Sequence, residues 1–324
     1  MISMKKWILM MVALAGCGII FPGCQNQFVK ESAFRRSGTS AESSGSKRSV
    51  SLLCWNVQTF FDAVTTGTEY KEFKNSERWN KEKYGQRLNK LCDVITMVNP
   101  DIFVLEEIEN DSVVQDIANA LAGGSWSSKN SWKYTGFTKE VSSAIGCAVF
   151  SRYEISRIKT HCIDIRTQKE EQPSSRPLMQ VTLCIGNKEL ELIVNHWKSK
   201  SGGEEETEIW RDWQELALAG AVTEISDSPI VMCGDFNRSA EDFILTAGSK
   251  KSNTILRGEA GTVEVLSPWF KEDGKFAFET GSYYYNGEWE RIDNILISQG
   301  VNIISFSTVT DSPVADEDGI SCRI

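Results

Sequence analysis

Polar residues that could take part in catalysis follow several of the apolar segments of this 324-residue chain. Each of these segments leads into a carboxylate, an amide or an imidazole. In chain order these residues are Asn56, Glu106, Glu107, His196, Asp235, Asn237 and Asp293. An imidazole beside carboxylates can move protons, and carboxylate and amide oxygens are ligands for hard cations such as Mg²⁺. A single histidine at a strand end is more often structural, so a function for His196 depends on the other residues lying near it.

The pattern of apolar residues predicts the elements that must position these side chains. Strands are predicted at VSLLCW, IFVLEE, KYTGF, GCAVFS, PLMQVTLCI, ELELIVN, PIVMCG, RIDNILIS and VNIISFSTV, and Asn286-Gly287 in SYYYNGEW is a hairpin-turn signal. Helices are predicted at about 83 to 98, at a short segment capped by Asp111 that runs through Leu121, and at TEIWRDWQELALAGAVTEI. Strands that lie side by side would bring the polar residues to one edge of the sheets.

The balance of elements predicts the fold class. Strands outnumber helices, and both are amphipathic on one side. This pattern suits a four-layered α/β sandwich, in which two packed, mainly antiparallel sheets are flanked by helices. The pattern allows this architecture without fixing it.

Six segments, in this order along the chain, resemble the motifs of the endonuclease/exonuclease/phosphatase family, which has the deoxyribonuclease I-like fold. The resemblance covers about residues 49 to 300. The segments are LLCWNVQTFF, PDIFVLEEIEN with Glu106 where the family has Gln, GCAVFSR, NHWKSKSGG in the form found in bacterial extracellular nucleases, CGDFN and RIDNILIS. The resemblance implies hydrolysis of phosphodiester bonds.

The resemblance also implies a metal site. Glu107 would supply the oxygen ligand that Mg²⁺ prefers, with Asn56 beside it, and Mn²⁺ or Ca²⁺ are alternatives. The cation would polarise a phosphoryl oxygen and offset the charge that develops in the transition state.

Four further residues take catalytic roles by the same resemblance. His196 corresponds to the phosphate-contacting acid/base histidine, Asp235 would orient or deprotonate the attacking water, and Asn237 would hold that water and a phosphate oxygen. Asp293 corresponds to the aspartate that orients a second catalytic histidine.

Basic residues near the His196 motif are candidates for contacts with substrate. Lys198 and Lys200, next to a glycine pair, would form a phosphate-binding rim, and Arg176 and Arg211 are further candidates, although each is as well explained by solvated surface charge. Trp197 is expected to pack and not to stack on a base. The net charge of −9 argues against a strongly basic nucleic-acid coat but allows a local basic groove.

The N-terminus predicts export. Two lysines lead into a ten-residue apolar run, too short to span a bilayer, which ends in Leu14-Ala15-Gly16-Cys17. This ending resembles the bacterial lipobox. The resemblance implies cleavage before Cys17 and lipidation of its thiol, with Cys24 as a poorer candidate. An ordinary secretory signal is the alternative.

These observations predict three regions. Residues 1–24 are the export segment, residues 25–48 are a flexible linker because they are almost free of aliphatic side chains, and residues 49–324 are one catalytic domain. The protein is expected to be an exported lipoprotein of the bacterial cell envelope or surface, held to the membrane by its lipid anchor, and a monomer. Nine cysteines without a CxxC pair do not predict zinc.

The C-terminal segment departs from the family pattern. Members of the family usually end in a Ser-Asp-His motif on a last strand, whereas this chain ends in TVTDSPVADEDGISCRI. The other histidine, His161, lies within RIKTHCIDI and is interpreted as structural. We therefore expect the last strand to be missing, one sheet edge to be unpaired, and hydrolase activity to be much reduced.

Three functions remain open from the sequence. An exported, Mg²⁺-dependent nuclease that acts on DNA or RNA is favoured by the export signal and by NHWKSKSGG. A phosphodiesterase or phosphatase acting on lipid or inositol phosphates would share the fold, although the chain has no obvious apolar or basic insertion for lipid headgroups. A non-catalytic protein that binds polyanions is the third, because the terminal motif is absent.

Overall fold

The computed structural model describes residues 5–6, 9–16, 49–123, 131–164, 172–173, 175–226, 228–245, 253–258, 261–285 and 287–309. Strands dominate this part of the chain. In chain order they are β1 Lys5–Lys6, β2 Leu9–Gly16, β3 Ser49–Phe60, β4 Ile102–Ile108, β5 Tyr134–Thr138, β6 Gly146–Ser151, β7 Glu154–His161, β8 Leu178–Ile185, β9 Lys188–His196, β10 Ile230–Asp235, β11 Ile244–Leu245, β12 Asn253–Gly258, β13 Gly261–Leu266, β14 Tyr283–Tyr285, β15 Glu288–Glu290, β16 Asp293–Ile297 and β17 Val301–Val309. The helices are α1 Lys81–Val98, α2 Asp111–Ala122 and α3 Glu204–Thr223.

Two large sheets carry the fold. One has six strands in the order β17-β2-β3-β4-β6-β5, and the other has eight in the order β11-β12-β13-β16-β10-β9-β8-β7. A third, small sheet has the strand order β1-β14-β15. Among the described pairs only β3 with β4 and β10 with β9 are parallel, and the others are antiparallel.

Three apolar clusters define the layers. The first lies between the two large sheets and joins residues such as Val104 and Val194 from opposite sheets. The second packs the six-stranded sheet against α1 and α2, and the third packs the eight-stranded sheet against α3. Each fully buried aliphatic side chain contributes about 1.5–3 kcal/mol of transfer free energy. Burial of apolar side chains in these clusters therefore determines which side of a strand faces the core. The result is the four-layered α/β sandwich that the sequence predicts.

The helices begin and end at recognisable caps. The side chain of Asn80 accepts a hydrogen bond from Lys83 N at the start of α1, and Asn99 ends that helix with φ of 54°. Asn110, one residue before the predicted cap Asp111, accepts from Val113 N at the start of α2. The capping side chain of α2 is therefore the amide of Asn110, while Asp111 places a negative charge in the first turn.

Strand β2 lies between β3 and β17 and is antiparallel to both. Beside Ser49–Phe60 the structure has Leu9–Gly16, whose main-chain groups pair with those of both neighbours. The unpaired edge expected from a missing last strand stays a prediction. Export acts on an unfolded chain, so this position does not test the predicted signal. Cys17, Cys24, the linker 25–48 and the segment 310–324 lie outside the described residues, and what is predicted for them stays a prediction.

The sequence did not predict the hairpin formed by β12 and β13, whose strands mix charged and apolar residues. Most other predicted strands agree with the structure to within a residue or two; the first is longer and ends at Phe60. None of the helices in the described part of the chain is both long and apolar enough to cross a membrane.

Candidate active site

Strand register brings the predicted residues of the eight-stranded sheet into one row. His196 at the end of β9 pairs with Asp235 at the end of β10, and Asp235 pairs with Asp293 at the start of β16. In the six-stranded sheet, Asn56 on β3 pairs with Glu106 on β4, so Glu107 follows directly. Both sheets therefore present polar residues at strand ends.

Side chains from the two sheets meet at this edge. Asn56 Nδ2 donates to Asp235 Oδ2 over 2.9 Å and to Glu107 Oε1 over 3.1 Å. His196 Nε2 lies 3.9 Å from Glu107 Oε1. His196 and Asp235 are 2% and 1% exposed, whereas Glu107 is 14% exposed. The amide, the imidazole and the two carboxylates form one cluster, and Glu107 is the member that solvent reaches most.

The backbone of the six-stranded sheet is strained beside this cluster. Gln58, Thr59 and Glu107 have φ of 51°, 47° and 65°. A side chain other than glycine costs about 1–2 kcal/mol in this left-handed region, and a β-branched residue such as Thr59 is rarer there than most. Such conformations persist where neighbouring contacts over-determine them, and they concentrate at functional sites.

The eight-stranded sheet positions Asp235 through a close approach of two strands. Gly234 has φ of 138°, and a Cβ atom there would lie 1.8 Å from the carbonyl oxygen of Asn195, so only glycine fits. Beyond it, Asn237 N donates to Asp235 Oδ1 over 2.8 Å and Asn237 Nδ2 donates to the carbonyl oxygen of Trp197 over 3.1 Å. Trp197 N donates to the Asp235 carbonyl over 2.8 Å. These bonds tie the GDFN turn to the segment after His196.

Trp197 packs in the interior, as predicted. Its ring is 0% exposed and lies 4.7 Å from that of Phe236. The guanidinium of Arg238 lies over it at 5.6 Å.

A buried ion network behind the GDFN turn escaped the sequence analysis. Arg238 is 2% exposed and bonds to three carboxylates of α3, namely Glu208, Asp212 at 2.7 Å and Glu215 at 2.5 Å. Arg257 on β12 bonds to two of the same carboxylates, Asp212 and Glu215, from a more exposed position. This network clamps α3 to the turn that carries Asp235 and Asn237.

Arg211 does not suit the substrate-binding role expected for it. Its side chain is 0% exposed, because its position in α3 points toward the interior. The guanidinium bonds to Glu208, to Thr207 Oγ1 over 3.0 Å and to the carbonyl oxygens of Glu204 and Lys198 over 2.8 and 3.2 Å. Arg211 thus holds the segment after His196 in place.

The two lysines after His196 differ in their surroundings. Lys198 bonds through Nζ to the Ser199 carbonyl over 3.1 Å, and burial, followed by the charges of Arg176 and Arg211, lowers the pKa of its ammonium. Burial also lowers the pKa of Lys200, but hydrogen bonds to Glu204 and Glu290 outweigh that effect and raise the pKa above its ordinary value. Lys200 is therefore engaged in ion pairs of 2.6 and 2.8 Å.

Arg176 lies with Tyr70, a residue that the sequence analysis missed. Both Arg176 and Glu107 act electrostatically on the Tyr70 hydroxyl. Burial raises the pKa of the Tyr70 hydroxyl, whereas Arg176 lowers it. Tyr70 is 38% exposed and Arg176 is partly exposed, so solvent reaches both groups. No sequence signal distinguishes Tyr70 from other loop tyrosines.

Glu106 points between the sheets and not into the cluster. It is 0% exposed, and its Oε1 accepts a hydrogen bond from Cys54 Sγ over 3.2 Å. Burial, then Cys233 and the carboxylates Asp293 and Asp235, raises the pKa of Glu106 well above its ordinary value. Burial therefore favours the protonated form of Glu106, at the position where the motif that this segment resembles has Gln.

Asp293 and His161 occupy different places. Asp293 is 7% exposed, and its main-chain N–H donates to Ser282 Oγ over 2.9 Å. His161 Nε2 lies 2.8 Å from Gln180 Oε1. Gln180 alternates with the inter-sheet residues Met179 and Val181, so His161 contacts the opposite face of its sheet from that core. His161 is thus bonded away from the row that contains Asp293.

The donors fit a hydrated Mg²⁺ better than a fully protein-ligated metal. Among the described residues, no group of three or more His, Cys, Asp or Glu side chains is arranged to hold a metal ion. Mg²⁺ usually keeps several waters and binds through one or two carboxylates together with substrate phosphate. The partly exposed carboxylate of Glu107, with Asn56 beside it, fits that mode of binding.

Comparison with known proteins gives one extensive match. The model of the Endonuclease/Exonuclease/phosphatase family matches residues 51–314, and no curated protein matches. Similar solved structures are those of truncated Caenorhabditis elegans TDP2 (TM-score 0.46, 16% identity, 66% of this chain and 76% of that chain), the human Nocturnin catalytic domain (0.43, 17%, 65% and 75%) and a β-hairpin deletion mutant of beta toxin from Staphylococcus aureus (0.44, 16%, 77% and 86%). The family model spans most of the chain, from within β3 to beyond β17.

Proposed function

The chain belongs to the Endonuclease/Exonuclease/phosphatase family, and on that basis we propose that it is a divalent-cation-dependent phosphodiester hydrolase that acts on nucleic acid. Family membership confirms the resemblance that the motifs predict. Cation dependence, nucleic acid as substrate and export as a lipoprotein are the further content of the proposal.

One observation carries it. Asn56, from one sheet, donates to Asp235, from the other, over 2.9 Å, while His196 lies 3.9 Å from Glu107. Four side chains from two sheets share a space that a solvated loop or a capped turn would not require. Hydrolysis of a phosphodiester needs a cation ligand, a base for water and an acid for the departing oxygen, and this cluster has all three types of group.

The residues divide the reaction between them. A divalent cation, when bound, would polarise a phosphoryl oxygen and offset the charge of the transition state. Glu107 would hold it, with Asn56 keeping the carboxylate in place. Asp235 would orient the attacking water and take its proton as the new P–O bond forms. His196 would contact the phosphate and give a proton to the departing oxygen as the old P–O bond breaks.

Accessible cations support a polyanionic substrate. Arg176 acts electrostatically on Tyr70 and lowers the pKa of Lys198, which follows His196 by two residues. The low pKa of Lys198 follows from burial and cationic neighbours, which a phosphate between them would relieve. Lys200, already paired with two carboxylates, is a weaker candidate for the rim.

Nicking of supercoiled plasmid by the purified full chain tests the proposal. We expect Mg²⁺-dependent nicking that EDTA stops and that His196→Ala lowers by about 10²–10⁴-fold. Single-stranded RNA and sphingomyelin serve as parallel substrates. Lys188→Ala, on an exposed strand end, is a matched control. Hydrolysis of sphingomyelin alone would move the substrate to lipid phosphodiesters. Salt-sensitive binding of plasmid by folded protein, without cleavage in any metal, would instead favour a non-catalytic polyanion-binding protein.

A further inference from the structure

Backbone strain in the described part of the chain is concentrated at the proposed site. Five residues other than glycine have positive φ: Gln58, Thr59, Asn99, Glu107 and Asn237. Asn99 ends a helix, where the left-handed conformation is usual. The other four are at the proposed site, and two of them form the consecutive turn Gln58-Thr59 directly after Asn56 and Val57. A turn of this kind needs an external reason to stay in place.

Arg87 on α1 supplies that reason. Its Nη1 donates to the carbonyl oxygen of Thr59 over 2.9 Å, and its Nη2 donates to that of Val57 over 2.8 Å and also to that of Gln58. Three consecutive carbonyl groups thus converge on one guanidinium. The guanidinium lies 4.9 Å from the ring of Phe60, which fixes its plane.

The opposite side of the same turn holds the carboxylate of Glu107. Thr59 N donates to Glu107 Oε2 over 2.6 Å. Gln58 N donates to Asn56 Oδ1 over 3.0 Å, which leaves the amide oriented so that Asn56 Nδ2 donates to Glu107 Oε1 over 3.1 Å. Both oxygens of Glu107 are therefore set by the turn, one directly and one through Asn56.

We propose that Arg87 is a positioning residue for the cation-binding carboxylate and acts through the main chain of the Gln58-Thr59 turn. The inference rests on the proposed function, because it assumes that Glu107 binds Mg²⁺. The three hydrogen bonds of Arg87 go to main-chain carbonyl oxygens, so the effect of Arg87 on Glu107 is transmitted by the backbone of the turn. Loss of Arg87 would release the turn from its left-handed conformation and withdraw the Thr59 N–H from Glu107.

Isothermal titration of the full chain with Mg²⁺, without substrate, tests this directly. Arg87→Met keeps the length and the apolar stem but removes the donors, and we expect Mg²⁺ to bind about 10–100-fold more weakly. Arg87→Lys keeps the charge but cannot reproduce a planar fork of donors, and an intermediate loss is expected. Cleavage by both variants should recover when Mg²⁺ is raised, since the groups that carry out the reaction are intact.

Arg152→Met is the matched control. Arg152 also stacks on an aromatic ring, with its guanidinium 4.5 Å from Trp132, bonds to a main-chain carbonyl, that of Asn99, and pairs with Asp101 at the other end of the same strands. We expect its substitution to lower stability and to leave Mg²⁺ affinity within about twofold of the wild type.

The outcomes separate the inference from the proposed function. Wild-type affinity in both Arg87 variants, or equal losses in the Arg87 and Arg152 variants, would overturn the positioning role. If Arg87→Met fails to fold, Arg87→Lys decides, because it retains the charge and the stem. Glu107→Gln is the separate arm: a wild-type chain that binds no Mg²⁺, or binds it as well after Glu107→Gln, would contradict the proposed function itself.

Discussion

The two halves of the candidate site are held in place by different means. The half on the six-stranded sheet, with Asn56 and Glu107, is built from strained main chain and one arginine behind it. The half on the eight-stranded sheet, with His196 and Asp235, is built from regular strand ends, one obligatory glycine and a buried ion network on α3. The cation-binding side is thus held by a left-handed two-residue turn with Arg87 behind it, and the proton-transfer side by strand register, the Asn237 turn and the ion network on α3.

This difference has a physical cause. A carboxylate that must face solvent and accept a cation cannot be surrounded by competing cationic side chains, so main-chain N–H groups are suitable partners. Asp235, which is 1% exposed, accepts hydrogen bonds from Asn56 Nδ2 and Asn237 N, and the ion network holds the turn that follows it against α3. The stability of the half on the six-stranded sheet should therefore depend on the φ preference of the residues in its turn. The stability of the half on the eight-stranded sheet should depend on single charges of the ion network.

The largest expected effect is on catalysis. His196→Ala should lower kcat/KM for plasmid nicking by about 10²–10⁴-fold, as expected for the loss of a positioned acid/base. Stability should change much less, since His196 ends its strand. A loss below about tenfold, measured under initial-rate conditions with saturating Mg²⁺, would remove His196 from the reaction.

The ion network predicts the largest effect on stability. Arg238→Met removes the buried partner of Glu215 and leaves that carboxylate only the more exposed Arg257, so it should lower the free energy of unfolding by about 3 kcal/mol. Arg257→Met is the matched control, because Arg257 bonds to two of the same carboxylates, Asp212 and Glu215, but is 44% exposed, and its loss should cost about 1 kcal/mol or less. Urea unfolding of both variants measures the contrast, and equal losses would mean that burial does not separate the two arginines.

The carboxyl group of Glu109, on the six-stranded sheet side of the site, should make the free energy of unfolding depend on pH. It is 1% exposed, accepts from Asp62 N over 2.7 Å, and burial raises its pKa to about 7. A carboxyl whose pKa is raised by folding contributes fully below its unfolded pKa, near 4.5, and loses that contribution as pH rises through about 7. Glu109→Gln should therefore stabilise the protein by about 2–3 kcal/mol at pH 8 and by little at pH 4.

Thermal unfolding of the wild type and Glu109→Gln across this pH range is the measurement. A constant difference between the two proteins would contradict the expected titration. Glu72→Gln, at an exposed residue of the 3-10 helix Lys71–Phe73, controls for a general change in charge.

The smallest effects test the strain itself. Thr59 and Asn237 have the same φ of 47°. Thr59→Gly removes strain and should raise stability by up to about 1 kcal/mol, after the entropy cost of glycine. Asn237→Gly also relaxes the backbone but loses the bond to the Trp197 carbonyl, so it should lower stability by about 1 kcal/mol. The denaturant midpoint should rise in Thr59→Gly and fall in Asn237→Gly, each relative to the wild type. A lower midpoint in both variants would mean that Thr59 is not strained.

The sequence predicted the parts of the site that are local to a motif. Asn56, Glu107, His196 and Asp235 each follow a readable apolar strand, and the strands meet at one edge because of their register. Arg238 stands next to GDFN, but its three partners lie on a helix 23 to 30 residues earlier, and no local pattern indicates that pairing.

Arg211 was interpreted wrongly because charge was given more weight than position. Thr207, Arg211, Gln214 and Leu218 recur at helical spacing and all face the interior, so the periodicity already placed Arg211 on the buried side. The Gln58-Thr59 turn could not be predicted, since neither residue favours positive φ and the conformation depends on Arg87 and Glu107, which are distant in sequence.

The most direct test of the central claim, that both halves form one catalytic centre, is a double-mutant cycle of Glu107→Gln and His196→Ala. The kcat/KM for Mg²⁺-dependent plasmid nicking is measured for the wild type, both single variants and the double variant. If the halves act on the same transition state, the double variant should be little worse than the worse single variant, because groups that act as a unit are strongly non-additive. Losses that simply multiply, or nicking that persists in EDTA, would contradict the account.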